Sequence, residues 1–514
     1  MRHDAARHWP LLLILLVAAA LRLQYIDLPL LDAHRWRQVD TAQIARSFYE
    51  DHFNIFKPQV NWGGAHGYVE SEFPLLPALV AASYFVFGEH ETLGRLIVVL
   101  FSLVSVALTY LLAREFLGRA GGLAAAAVVG ASPAAVFYGR AFMPDTLMVC
   151  FSLGALIGFV RYAREGRTGP LVAGSVALAL AILVKLPGVI VMLPAAGALW
   201  TARRWGALRD TRAWLALSIP LVVSALWYWH AFEIYRDTGL TFGVIGTTKT
   251  YPPEIATGPW PTAFSKWSSM ELLTGADFYR TLLSRLSFLL LPPAGLALSA
   301  FGLLLWRRQR WRLVADGWLA AMLLFILAAG WGHMGHDYYQ LPLVPICALY
   351  FAAVARPAFD ADWIQRTLGP GLAPRIGVGV VLLAIALLGI RQSGVIERHF
   401  RPQDLDVRML QAGQLVAGAT APGDLVVVVD DYGVNSPMLL YFAHRKGWSF
   451  DSDTATAHTV QGLQAHGAKY FATTRWSHLQ RKQGDLVQFL QTRRQVPLSN
   501  APSDMAVFDL RQPR

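Results

Sequence analysis

Within nine residues, Asp32-Ala33-His34-Arg35-Trp36-Arg37-Gln38-Val39-Asp40 gathers carboxylates, guanidinium groups and an indole. A carboxylate can take a proton from an attacking hydroxyl, and guanidinium groups can grip a phosphate through charge-assisted hydrogen bonds. Asp40 is the candidate base of such a reaction and Arg37 a candidate phosphate partner. Asp40 also has a purely structural reading, because Asp40-Thr41-Ala42-Gln43 is a capping-box pattern that would open a helix over 41–50.

Four further stretches have similar character. Glu70-Ser71-Glu72-Phe73-Pro74 offers Glu72 as a second acid or a binder of acceptor hydroxyls, or simply a solvated loop. In Tyr138-Gly139-Arg140-Ala141-Phe142-Met143-Pro144-Asp145, proline suits a first helical turn and Asp145 would favour that helix's dipole. Arg140 has no such local role, and its fork fits a phosphate or a carboxylate. Lys185, in Val184-Lys185-Leu186-Pro187-Gly188, either snorkels to headgroups or points at a lipid phosphate. His333-Met334-Gly335-His336-Asp337-Tyr338-Tyr339-Gln340 holds two histidines and an acid, a thin metal pattern, and substrate contacts by His336 and Tyr338 are the better reading. The loop from Tyr251-Pro252-Pro253-Glu254 to Trp260-Pro261 and Trp267 is aromatic and suits either sugar rings or a membrane interface. No metal ligand set and no cofactor are assigned.

The elements that must position these groups are set by the solvent. The chain is 54% hydrophobic and 15% charged, with a mean hydropathy of +0.39, a composition that excludes an ordinary soluble protein. Apolar runs such as 11–24, 96–113, 121–138, 146–160, 213–229, 286–306 and 376–390 are each about long enough to cross a hydrocarbon core of roughly 30 Å as helices. The first run, followed by Arg22 and Gln24, reads as an uncleaved span rather than a signal peptide. Cys150 and Cys347 both lie in apolar runs, so no disulfide framework is implied.

With the amino terminus inside, the tail and the loops 113–120, 161–169, 201–212, 307–316 and 355–375 carry 18 Lys and Arg against 7 Asp and Glu. That asymmetry marks cytoplasmic loops and accounts for the net charge of +11 without nucleic acid. The stretch 170–200 then reads as a hairpin turning at Lys185, and 74–88 as a juxtamembrane or re-entrant helix. The fold class is therefore an all-α polytopic membrane domain over 1–392, with about 11 spans and large outer loops at about 25–95 and 231–282. A small C-terminal α/β domain follows over 393–514. Its strands are read at Asp424–Asp430, Lys469–Thr473 and Met505–Phe508, and its helices at 403–418 and 475–491. No glycine-rich phosphate loop occurs there. This threading sends every polar cluster above to the outer face.

At these residues the chain resembles the integral-membrane glycosyltransferases of superfamily C, near the bacterial protein O-mannosyltransferases and the lipid A aminoarabinose transferase. The resemblance covers about residues 10–355. It rests on Asp40-Thr41-Ala42-Gln43-Ile44-Ala45-Arg46, Phe73-Pro74-Leu75, Tyr138-Gly139-Arg140 with Pro144-Asp145, Val184-Lys185, and Tyr338-Tyr339-Gln340-Leu341-Pro342-Leu343. It implies an acidic base in the first outer loop, a sugar donor on polyprenyl phosphate, and a cell-envelope glycan, lipid or protein as acceptor. It also implies an active site outside a bacterial cytoplasmic membrane. Where the family often has an Asp-Glu pair, alignment on Ala42 to Arg46 puts Arg37-Gln38, with Asp40 three positions on. The expected roles are Asp40 as base, Arg37, Arg140 and Lys185 as phosphate partners, and Glu72, Asp145, His336 and Tyr338 as substrate-binding groups. A transporter or flippase is the rival class, but it should carry polar or broken helices at the midplane. A scaffold for envelope assembly would not need these acids and cations together.

Overall fold

In a computed structural model the chain is described over residues 2–51, 53–245, 266–369, 371, 373–402, 404–433 and 436–513. The aromatic loop from Tyr251 to Pro261 lies outside them. The chain divides into two compact units, Met1–Asp27 with Thr92–Trp227 and Ser265–Phe400, and Leu28–Glu91 with Tyr228–Phe264 and Arg401–Arg514.

The first unit is helical. Among the described residues of the chain, six helices are long and apolar enough to cross a membrane, including Glu91–Ala131, Asp145–Glu165, Thr211–Thr238 and Ala373–Ser393. A seventh crossing is possible if Ala276–Leu290 and Pro293–Trp306, bent by 101°, count as one broken span. Trp9–Arg22 and Thr168–Val184 are shorter apolar helices. Exposed side chains such as Leu16, Val222, Leu324 and Val380 would cost free energy in water and cost nothing against lipid. The helix Glu91–Ala131 breaks at Gly118, where φ is 70° and only glycine is unstrained. That break falls inside the expected basic loop 113–120.

Small residues let neighbouring helices approach. A Cβ on Gly158 would sit 2.5 Å from the Gly174 Cα, so Asp145–Glu165 and Thr168–Val184 pack nearly backbone to backbone. The second of these helices stops at Lys185, whose backbone is extended, and a short 3-10 turn, Leu186–Val191, follows. A Cβ on Gly188 would meet Ala181 O at 2.4 Å, so the chain folds tightly back on the last helical turn. The interruption expected at Lys185-Leu186-Pro187-Gly188 is present.

The second unit is an α/β structure. Its six strands are β1 (Gly63–Gly64), β2 (Leu425–Val429), β3 (Gly447–Phe450), β4 (Ala468–Thr473), β5 (Arg493–Gln495) and β6 (Ala506–Pro513). They lie in the order β1-β3-β2-β4-β6-β5. β2 runs parallel to β3 and β4, while β1, β5 and β6 pair antiparallel. The valine run of β2 is buried on both faces, as an inner parallel strand requires. This unit is wider than the expected 393–514 domain. β1 comes from the first loop, and Val60, Trp62, Val69 and Leu240 share one core with Val426 and Val428. The stretches 60–69 and 240–242 therefore build on the sheet, because their apolar side chains have that core to enter.

The helices of the same unit include Arg35–Glu50 and Leu75–Phe87. The first begins six residues earlier than the expected 41–50. Its N-cap is His34, so Asp40 lies inside the helix and is not a cap. Burial decides the start, since every residue from Gln38 to Phe48 is buried and a cap at Asp40 would leave Arg35 to Val39 outside the packed helix.

Candidate functional site

In the first unit, antiparallel helices joined by a short turn bring residue 145 beside residue 185. Asp145 opens its helix, where a negative charge favours the dipole, and Lys185 closes the neighbouring helix, where a positive charge does. Lys185 Nζ lies 2.5 Å from Asp145 Oδ1, with side chains only 6% and 2% exposed. Two charges so buried hold only when paired. The ammonium also lies 4.4 Å from the centre of the Tyr338 ring and 5.7 Å from that of Tyr339, a cation–π arrangement. Asp145 Oδ2 is buried and has no hydrogen-bond partner among the described residues. The pair is thus half satisfied: one carboxylate oxygen holds the lysine and the other is an open acceptor.

Around this pair, Tyr138 donates its hydroxyl to Asp337, and its ring meets the Tyr338 ring edge to face at 6.0 Å. His336 stacks on Tyr338 at 5.0 Å. His399 Nε2 lies 3.5 Å from Asp337 Oδ2. Four of the expected residues, Asp145, Lys185, His336 and Tyr338, therefore belong to one neighbourhood. His333 takes another direction, with Nδ1 3.2 Å from Gln340 Nε2. Arg140 is fully buried, donates from Nη2 to Tyr25 O at 2.7 Å, and lays its guanidinium over Phe400 at 4.5 Å. Tyr25 O also accepts from Arg95, so Arg140 helps tie down the end of the first helix, a role its sequence context had not revealed.

The second unit has its own polar group. Asp40 is 3% exposed and accepts from Trp62 Nε1 at 3.0 Å. Arg37, one helical turn before it, donates from Nη2 to Glu72 Oε2 at 2.6 Å and lies 4.6 Å from the Phe242 ring. Gln38 donates to Asp32 Oδ1 at 2.6 Å. Arg37 and Glu72 were assigned separate substrate contacts on sequence; here they form a pair. Glu70 is fully buried, accepting from the Thr241 hydroxyl and from Ile245 N at 2.7 Å. Burial raises its carboxyl above the usual range, although both hydrogen bonds favour the charged form.

Sequence reasoning missed His399, Asp337 as a hydrogen-bond acceptor, Trp62 and Thr241. Asp337 stood within a quoted cluster. Thr241 lies in a stretch without a charge cluster, and His399, within Glu397-Arg398-His399, has no spacing that links it to Asp337.

A family model described as Dolichyl-phosphate-mannose-protein mannosyltransferase matches residues 71–229, a stretch that contains Glu72, Arg140, Asp145 and Lys185. No curated protein matches the chain. Among solved structures, ArnT from Cupriavidus metallidurans bound to undecaprenyl phosphate aligns at a TM-score of 0.63 and 16% identity, covering 97% of each chain. The Archaeoglobus fulgidus oligosaccharyltransferase in its apo form aligns at 0.57 and 14%, covering 97% of this chain and 75% of that one. The mycobacterial arabinofuranosyltransferase AftD aligns at 0.52 and 14%, with 98% of this chain on 40% of that one. At such identities the likeness is one of fold: the chain shares the fold of these membrane proteins.

Proposed function

We propose that this protein transfers a glycosyl group from a polyprenyl-phosphate-linked sugar to a cell-envelope acceptor, whether lipid, glycan or protein. The reaction takes place at the outer face of a bacterial cytoplasmic membrane, with the amino terminus inside and about 11 spans. The observation that carries this reading is the Asp145–Lys185 pair with its open carboxylate oxygen, inside the stretch matched by the mannosyltransferase model. A spanning bundle has no structural need for a half-satisfied buried charge pair, which is costly unless a ligand completes it. ArnT, of the same fold, was solved with undecaprenyl phosphate, which supports a lipid-linked donor. The rival transporter class has no such support, since the matching family model describes a transferase.

In this reading Lys185 attracts the donor phosphate, and Asp145 Oδ2 accepts a hydrogen bond from a sugar hydroxyl. His336 presents its ring to the sugar, and Tyr338, stacked beneath it, holds that ring in place. Asp40 takes the proton of the acceptor hydroxyl as its oxygen bonds to the anomeric carbon. The bond from that carbon to the phosphate oxygen breaks, and its electron pair leaves with the polyprenyl phosphate. Arg37 and Glu72 orient the acceptor; Arg140 braces the segment that carries Asp145. Cells lacking the protein should accumulate a polyprenyl-linked sugar and lose one glycan substituent, as read by mass spectrometry of both pools. Unchanged pools in both fractions would remove the assignment.

A further inference from the structure

We propose that an apolar crevice at the arginine-rich end of the first unit holds an acyl chain of an anionic membrane phospholipid. The crevice has a volume of about 320 Å³, within the range of small-molecule sites. It lies between the helices Met192–Arg203, Thr211–Thr238 and Arg312–Ala328, and its walls include Leu193, Trp200, Leu208, Trp214, Leu217 and Leu313. The lining is almost wholly apolar, so hydrocarbon fits it and a polar solute does not.

Charge identifies the headgroup. Arg209, Arg212 and Arg312, each next to a lining residue in sequence, and Arg204, between the lining residues Trp200 and Ala207, are exposed and form no ion pair or side-chain hydrogen bond among the described residues. Arg203, by contrast, is engaged by Asp210 and Tyr162. Trp200 and Trp205 meet edge to face at 5.0 Å, and Trp214 Nε1 donates to Leu208 O at 3.1 Å, so indoles frame the rim as they do at a headgroup boundary. A cluster of unpaired arginines beside a hydrocarbon slot is complementary to a phosphodiester headgroup with its chain buried. The site is set apart from the Asp145–Lys185 pair by the 3-10 turn Leu186–Val191 and the helix Met192–Arg203, whose 12 residues span about 18 Å.

The test is native mass spectrometry of the purified full chain titrated with phosphatidylglycerol and with phosphatidylcholine. Phosphatidylglycerol should be retained about tenfold better, and R204Q/R209Q/R212Q should abolish that preference. A196W, which fills the crevice from an exposed lining position, should remove retention of both lipids. Should the triple variant fail to fold, high salt applied to the unmodified protein must erase the preference instead. Equal retention of the two lipids, retention by A196W, or displacement of phosphatidylglycerol by undecaprenyl phosphate would each overturn the proposal, the last by assigning the crevice to the donor's tail. None of these readouts depends on glycosyl transfer.

Discussion

At the scale of single residues, Asp40 carries the sharpest claim. Inside its helix it contributes no cap, so its carboxylate is kept for a reason other than helix initiation. The Trp62 indole donates to Oδ1, and an asparagine amide oxygen can accept the same bond. Asp40→Asn should therefore fold normally and lose about 10²–10⁴ in transfer rate. Transfer at the normal rate by folded variant would remove it as the base. The Asp145–Lys185 pair makes a different prediction. Lys185→Met leaves a buried carboxylate alone and should destabilise by about 3–5 kcal/mol. Adding Asp145→Leu should restore most of the stability, read by thermal denaturation in detergent, while donor binding stays lost. Recovery of donor binding together with stability would mean that the pair is only structural.

At the scale of elements, some of the design was written in the sequence and some was not. The interruption at Lys185 was visible because a charge, a proline and a glycine cannot sit together in a lipid-facing helix. Strands β2, β4 and β6 were visible as short β-branched and aromatic runs. The start of Arg35–Glu50 was hidden, since a cap signal is local whereas the burial that overrode it comes from distant residues. β1 is two glycines and has no pattern at all; only its partner β3 makes it a strand. The loop after β2 adds a testable property. Asp430 is fully buried, and burial outweighs the bonds from Ser436 Oγ and from the amides of Tyr432 and Gly433, pushing its carboxyl up to about 7. The folded form thus keeps its proton where an unfolded chain loses it near pH 4, so its stabilising contribution is complete at acid pH and lost as pH rises through about 7. Hydrogen-exchange protection of β2, corrected for intrinsic rates, should fall between pH 5 and pH 8, and Asp430→Asn should flatten that fall. An equal fall in the variant would contradict the assignment.

At the scale of the whole molecule, composition and charge asymmetry carried most of the reading. They required a polytopic membrane protein, and the fold is shared with ArnT over 97% of the chain. The division into units was less legible, because segments far apart in sequence share the core of the second unit. Which residues meet was not legible: Asp145 and Lys185 carried separate roles in the sequence, and only the packing of their helices pairs them. Nor was the partner of Arg140, since a buried arginine that donates to a backbone carbonyl leaves the same trace in sequence as one awaiting a phosphate. The central claim is the nature of the donor, and reconstitution tests it most directly. Purified protein in liposomes, given an acceptor extract, should transfer labelled sugar from undecaprenyl phosphate and none from the corresponding nucleotide sugar. Efficient transfer from the nucleotide sugar in liposomes free of polyprenyl phosphate would contradict the account.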